Sequence, residues 1–284
     1  MKAAYAGSLL GLLLQPLLVG ALTLRFAPEA DYGPFVFADA QGQVRGLSVE
    51  LLQALAPLGA FQIQTLPARS LHEHLAAAQR GEVDLLSSLR PTAERSRYLA
   101  FTEPYVVVPA VLVLPPGQAR QQALQSLQGL PVGVGRGYAV EQFVRDRYPA
   151  VQWRSFADDH QALLAMGRGE IRGLVADMAS LHFLAQRDAA TPRYEIHQHI
   201  GFEYPLSFAY PLAREDIGER LRSALRALPA QSRREIVQRW IPAGLNAYED
   251  PRHADLRLLA VSCIGLGLLG MYLVRQAQRR RARA

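Results

Sequence analysis

Leu22 to Ala27 alternates apolar with polar side chains, the period-two signature of a half-buried strand. Pro28 to Gln43 gathers Pro, Gly, Asp and aromatic residues and reads as a loop carrying one short strand. Leucines recur at helical spacing from Ser48 to Leu58, and Phe61 to Leu66 alternates again. Ser70-Leu71-His72-Glu73 is a capping box, with Ser70 as N-cap and Glu73 at the third helical position, and its helix stops at Gly81. Val83 to Leu86 is a further short strand. This strand–helix–strand–helix–strand order calls for an α/β lobe with parallel pairing. Tyr105 to Leu114 is long, apolar and β-branched, but Pro109 excludes a simple central strand.

The same grammar then repeats. Strands at Pro131 to Val134, Val151 to Ser155, Gly173 to Ala176 and Tyr194 to His197 alternate with helices at Ala139 to Tyr148, Ala157 to Met166 and Met178 to Gln186. Two lobes of similar size are the natural reading. Leu206 to Leu212 is another apolar strand, and helices at Glu215 to Leu228 and Arg233 to Trp240 return the chain toward a lobe. Their polar faces mix both charge signs, which favours packing on a lobe over a membrane surface.

The two ends differ from this pattern. Ala3 to Ala21 is almost wholly small or apolar, follows Lys2, and ends in Val19-Gly20-Ala21, the layout of a secretory signal peptide at residues 1–21. Leu256 to Val274 is apolar apart from Arg257 and as a helix would span ~28 Å, close to the hydrocarbon core of a bilayer. Five arginines follow it, which places residues 275–284 in the cytoplasm and residues 22–255 outside. The expected architecture is α/β and two-lobed. One lobe spans about 22–108 and 207–250, and the other about 109–206. A leader precedes them and a single transmembrane helix follows, in a bacterial inner membrane with the binding domain in the periplasm.

Composition narrows the chemistry. The chain has 284 residues and a net charge of +6, but the C-terminal arginines carry much of it, so it is no nucleic-acid stripe. The single cysteine, Cys263, permits neither an intrachain disulfide nor a thiolate metal cluster. The scattered histidines complete no metal set, and there is no phosphate loop or serine elbow. No cofactor, metal or catalytic residue is expected. Arg95 offers a donor fork that matches a carboxylate, although a surface pair with Glu94, Glu103 or Glu50 is also open to it. Asp177 follows a buried strand and suits either an ammonium group or the N-cap of the next helix. Tyr32 and Phe35 present flat surfaces in a loop, flanked by Glu29 and Asp31, though core packing also suits Phe35. Ser87 and Ser88 could hold polar ligand groups, and Gly135 and Gly137 could offer backbone donors.

Several spaced motifs resemble the type-3 extracellular solute-binding proteins, the periplasmic amino-acid-binding fold of type II. They are Tyr32-Gly33-Pro34-Phe35, Gly46-Leu47 with Glu50, Gly81-Glu82-Val83-Asp84, Thr92-Ala93-Glu94-Arg95, Phe101-Thr102-Glu103-Pro104-Tyr105, Val132-Gly133-Val134 before Gly135-Arg136-Gly137, Asp177 and Trp240. The resemblance implies that Arg95 takes a ligand carboxylate and Asp177 its amino group. It also implies that Tyr32 covers the stem and Glu29 meets a distal positive charge. Tyr138 stands where a small hydroxyl residue is common, Arg172 where an acid is usual, and Arg90 where Ser or Thr is frequent. Arg90 and Arg136 are the residues that would suit a dicarboxylate instead. The implied function is a sensor for a small amino-acid-like ligand, arginine first and lysine next. Its other partners would be the bilayer, a fused or associated cytoplasmic signalling domain (of histidine kinase or cyclic-di-GMP type) and a second copy of the chain. A binding component of an uptake transporter and a ligand-free interaction module are the alternatives.

Overall fold

The computed structural model describes residues 22–117, 123–187, 191–242 and 244–245. The expected leader, membrane helix and arginine tail lie outside these residues. Among the described residues no helix is long and apolar enough to cross a membrane.

Strand β1 (Leu22–Phe26) sends Leu24 and Phe26 into the core, as its alternation requires. The aromatic-rich segment after it folds into a small antiparallel sheet of β2 (Asp31–Tyr32), β3 (Val36–Ala38) and β4 (Val44–Arg45). Helix α1 (Leu47–Leu58) buries Leu47, Leu51, Leu52 and Leu55 on one face. Strand β5 (Phe61–Thr65) pairs in parallel with β1. Helix α2 (Leu71–Gln79) opens on the expected capping box: Ser70 Oγ accepts from Glu73 N at 3.4 Å, and Glu73 Oε2 accepts from Ser70 N at 3.1 Å. Strand β6 (Leu86–Leu89) starts later than the sequence suggests. The reason is that the Asp84 and Leu85 N–H groups turn to the Arg25 carbonyl, at 3.0 and 3.1 Å.

Strands β7 (Leu99–Phe101) and β8 (Val106–Leu114) lead out of this first body. The second body is built from β9 (Pro131–Gly135), α3 (Ala139–Arg147), β10 (Gln152–Phe156), α4 (Asp159–Gly167), β11 (Gly173–Asp177) and α5 (Met178–Arg187). Its strands β9, β10 and β11 run parallel, so helices α3, α4 and α5 all begin at the same edge of the sheet.

The return path departs from expectation. The two strands expected at Tyr194–His197 and Leu206–Leu212 merge, less Tyr194 and Leu212, into one strand of 17 residues, β12 (Glu195–Pro211). It pairs antiparallel with β8 along both bodies and then with β6 and β7. Register shifts at Ile196/Gln198 and His199/Glu203 let it bend without ending, and Gly201 takes φ +71° between them. Pro109 lies opposite Glu203 in this irregular stretch, where a missing backbone donor is tolerated. Helices α6 (Glu215–Ala227) and α7 (Ala230–Trp240) then pack on α1. The fold is a mixed α/β, two-lobed arrangement with β8 and β12 as the crossings.

Candidate ligand-binding cleft

In parallel α/β sheets the carboxyl ends of the strands, where helices start, form the ligand-facing rim. In the second lobe this rim carries Gly137 and Tyr138 before α3, Asp158 and Asp159 at the start of α4, and Asp177 before α5. The first lobe opposes them with Glu29, Asp31 and Tyr32 from the segment after β1, with Ser87 and Ser88 in β6, and with Arg90 and Arg95 after it. The fold therefore gathers residues scattered over the whole chain onto two facing walls.

The walls touch. Arg95 is only 4 % exposed, and it donates from Nη1 to the Arg90 carbonyl at 2.7 Å and from Nη2 across the cleft to the Gly137 carbonyl at 2.7 Å. It forms no ion pair among the described residues, and burial lowers its pKa. Tyr138 donates its hydroxyl to Glu29 Oε1 at 2.6 Å, also across the cleft, and its ring lies 5.3 Å from that of Tyr32. At the rim, Asp31 meets Arg187 at 2.9 Å and His160 at 3.3 Å. The Phe37 and Phe183 rings pack at 4.8 Å, and Phe183 fills the space a side chain at Gly33 would need. This is a closed form.

Several buried polar atoms inside it have no partner. Asp177 is 1 % exposed: Oδ1 accepts from Ser180 N at 2.7 Å, which caps α5, while Oδ2 has no hydrogen bond of ordinary geometry, although the Tyr32 hydroxyl lies near the carboxylate. The cap reading of this carboxylate is thus realised on Oδ1, and Oδ2 is left over. Asp159, also 1 % exposed, has neither oxygen bonded, although the Ser180 hydroxyl lies near. The Tyr204 hydroxyl and Ser87 Oγ are likewise unpartnered. Burial, with the two carboxylates facing each other, raises the pKa of Asp159. Burial pushes Asp177 up to about 7 and Glu29 up to about 8, the latter against the Tyr138 hydrogen bond.

The remaining predicted site residues take other places. Phe35 is fully buried beneath Tyr32, with ring centroids 4.9 Å apart. Ser88 takes φ +58° in a bulge of β6 against β12, which is strained for a residue with a side chain. The Tyr105 hydroxyl accepts from Ser88 N at 2.7 Å and meets the Ser48 hydroxyl at 2.7 Å, holding this turn in the core. Arg90 does not pair with Glu94; its guanidinium lies 4.0 Å over the Phe202 ring. The Gly137 N–H, expected to be free for an anion, donates to Glu141 Oε2 at 2.7 Å. Asp159 was not singled out from the sequence. Its only signal there is the Asp158-Asp159 doublet at a helix start on the strand-end rim.

Beside the Arg95–Gly137 contact a groove of about 700 Å³ opens, lined by His72, Thr92, Glu94, Tyr138, Glu141 and Arg145 among others. Among the described residues no group of His, Cys, Asp or Glu side chains has the arrangement of a metal site.

Comparison with known proteins agrees with this geometry. The chain is 23 % identical over 256 residues to the sensor protein EvgS of Escherichia coli strain K12, covering 87 % of this chain and 21 % of that protein. It thus spans about a fifth of that sensor's length. It is 25 % identical over 228 residues to the ABC transporter arginine-binding protein 1 of the same strain, covering 77 % of this chain and 90 % of that protein. A solved histidine kinase sensor domain with similarity to periplasmic binding proteins superposes with a TM-score of 0.72 at 19 % identity, over 78 % of this chain and 96 % of that one. Residues 24–243 match the family of bacterial extracellular solute-binding proteins, family 3, and with the two-lobed fold and the charged cleft this shows that the chain belongs to that family.

Proposed function

We propose that this chain is the extracytoplasmic sensor domain of a membrane signalling protein and that its cleft recognises a basic amino acid, L-arginine first and lysine next. One observation carries the ligand class. The closed cleft buries a guanidinium without a carboxylate, Arg95, and carboxylates without a cation, Asp177 and Asp159. Uncompensated buried charges are costly, and a zwitterion compensates both signs at once. The ligand carboxylate meets Arg95, its α-ammonium meets the free oxygen of Asp177, and Tyr32 covers the stem. Ser87 Oγ supplies a further polar contact. The acids Glu29, Asp159 and Asp177 outnumber Arg95 inside the cleft, which favours a ligand with a second positive charge over glutamate.

The signalling role rests on similarity along most of the chain to a sensor protein, and on the apolar run at 256–274 followed by arginines. In this reading lobe closure is transmitted through the membrane helix to a cytoplasmic signalling partner. The transport reading is favoured by the alignment with an arginine-binding transport protein over 90 % of that protein. Titration calorimetry of the purified chain tests the ligand: arginine binds, and glutamate binds much more weakly or not at all. Binding of glutamate alone would overturn the ligand class and make Arg90 the leading selectivity residue. A reporter fused after Ala284 tests the topology, with activity expected in the cytoplasm only.

A further inference from the structure

We propose that Asp159 contacts the ligand and is the residue that selects for a positive charge beyond the α-ammonium. The inference rests on the amino-acid reading of the cleft and sharpens it.

Helix capping does not explain the burial of Asp159. The cap of α4 is already supplied by Asp158, whose Oδ1 accepts from Gln161 N at 2.8 Å. Asp159 is the first residue of the helix and is 1 % exposed, with both carboxylate oxygens unpartnered. A native protein seldom leaves a carboxylate in that state, because the desolvation cost is large unless something else supplies donors. The groups around it do not supply a cation. Its electrostatic neighbours are Asp177, Asp158 and Glu29, all acids, with the Ser180 hydroxyl near. Tyr204, a residue 3 % exposed whose hydroxyl is buried and unpartnered, feels Asp159 as its strongest charged neighbour. Tyr32 senses both Asp159 and Asp177. This part of the cleft thus holds two acids, aromatic walls and unused hydrogen-bonding atoms, and the cations that reach the same Tyr204 are Arg95 and the half-buried Arg90.

Charge balance then fixes the occupant. Glu29 already accepts the Tyr138 hydroxyl and so is not among the unpartnered acids. That leaves two fully buried carboxylates, Asp159 and Asp177, against the one fully buried guanidinium among the described cleft residues, Arg95; Arg90 is only half-buried and stacks on Phe202. A neutral-side-chain amino acid brings one charge of each sign and leaves one buried acid unpaired. An amino acid with a cationic side chain brings one more positive charge, and every ion in the closed cleft is matched. In this arrangement Asp177 keeps the α-ammonium, Asp159 receives the side-chain cation, and Glu29 serves closure through Tyr138.

Titration calorimetry of the full chain with arginine and with citrulline, its neutral isostere, tests this. Asp159→Asn is expected to weaken arginine at least ~tenfold while citrulline changes less than ~threefold, so the preference collapses. In Glu29→Gln the preference for arginine over citrulline is expected to persist. Asp159→Glu keeps the charge and advances it by a methylene, so preference is expected to move toward the shorter ornithine. An equal loss for both ligands in Asp159→Asn would show that Asp159 acts on a group they share or only on the fold, and would overturn the assignment. Collapse of the preference in Glu29→Gln but not in Asp159→Asn would overturn it in favour of Glu29. Failure of the wild type to bind either ligand would instead remove the amino-acid reading itself.

Discussion

The Tyr138 hydroxyl donates to Glu29 Oε1 at 2.6 Å, tying the start of α3 to the segment after β1 across the cleft. Together with the Arg95–Gly137 bond at 2.7 Å, it lets the protein close on its own side chains. A ligand can shift such an equilibrium only by binding the closed form better than the open one. Replacing Tyr138 by Phe removes the cross-cleft bond, worth about 1 kcal/mol or about fivefold in the closed-to-open ratio. The ligand-free Tyr138→Phe chain should therefore be less compact in solution scattering, and saturating arginine should restore the compact profile.

Acid should stabilise the ligand-free domain. Glu29 and Asp177 are raised by burial to about 8 and about 7, from ordinary values of 4.5 and 3.8. Between the unfolded and folded values the folded state holds more protons, so their contribution is fully present near pH 4 and is lost as pH rises toward 8. The opposite sign applies to Asp84, which the Arg25 hydrogen bond holds below its ordinary value, so its contribution is lost at still lower pH. The melting temperature without ligand should rise from pH 8 to about pH 5 and then fall. Glu29→Gln should flatten the upper part of that slope. Affinity for arginine should run the other way, increasing from pH 6 to 8 as the carboxylates ionise.

Arg95 reaches the Arg90 and Gly137 carbonyls with two nitrogens of one planar group. A lysine keeps the charge but not the fork. Arg95→Lys should lose at least ~tenfold in amino-acid affinity, and Arg95→Ala more, within the ~2–5 kcal/mol expected for a buried charged partner. Calorimetry against arginine measures both.

Asp31 provides the contrast. Its pairing with Arg187 sits at the rim, with side chains 36 % and 22 % exposed for Arg187 and Asp31. Asp31→Asn should change arginine affinity by less than about fivefold, since partly exposed pairs contribute ~1 kcal/mol or less, and the effect should shrink further in high salt.

Local rules served the elements well. The Ser70–Glu73 box, the leucine face of α1 and the parallel strands all follow from spacing that a linear reading can see. β12 did not, because its bends at Gly201 look like an interruption until β8 is seen to pair on both sides of it. The cleft was only partly legible. Arg95, Asp177, Tyr32 and Glu29 were visible through motif resemblance, and the structure brings them to one cleft. Asp159 was missed because its distinguishing property, two oxygens without partners, depends on what the other lobe fails to supply. Tyr138 was read as a departure from a smaller residue, but its reach to Glu29 depends on lobe closure, which no local pattern encodes.

The packing of α6 and α7 on α1 carries a consequence for biosynthesis. Trp240 donates to Glu50 Oε2 at 2.7 Å, and Arg220 donates to the Gly59 carbonyl at 3.0 Å, so the first of the described helices is finished by the last two described. The run from β9 to α5 is contiguous and can assemble as it is made. The first lobe must wait with the leucine face of α1 uncovered until Glu215 to Trp240 arrive. A chain interrupted before that point would present a sticky, protease-sensitive half, so ligand competence comes only once residues 215–240 have been made.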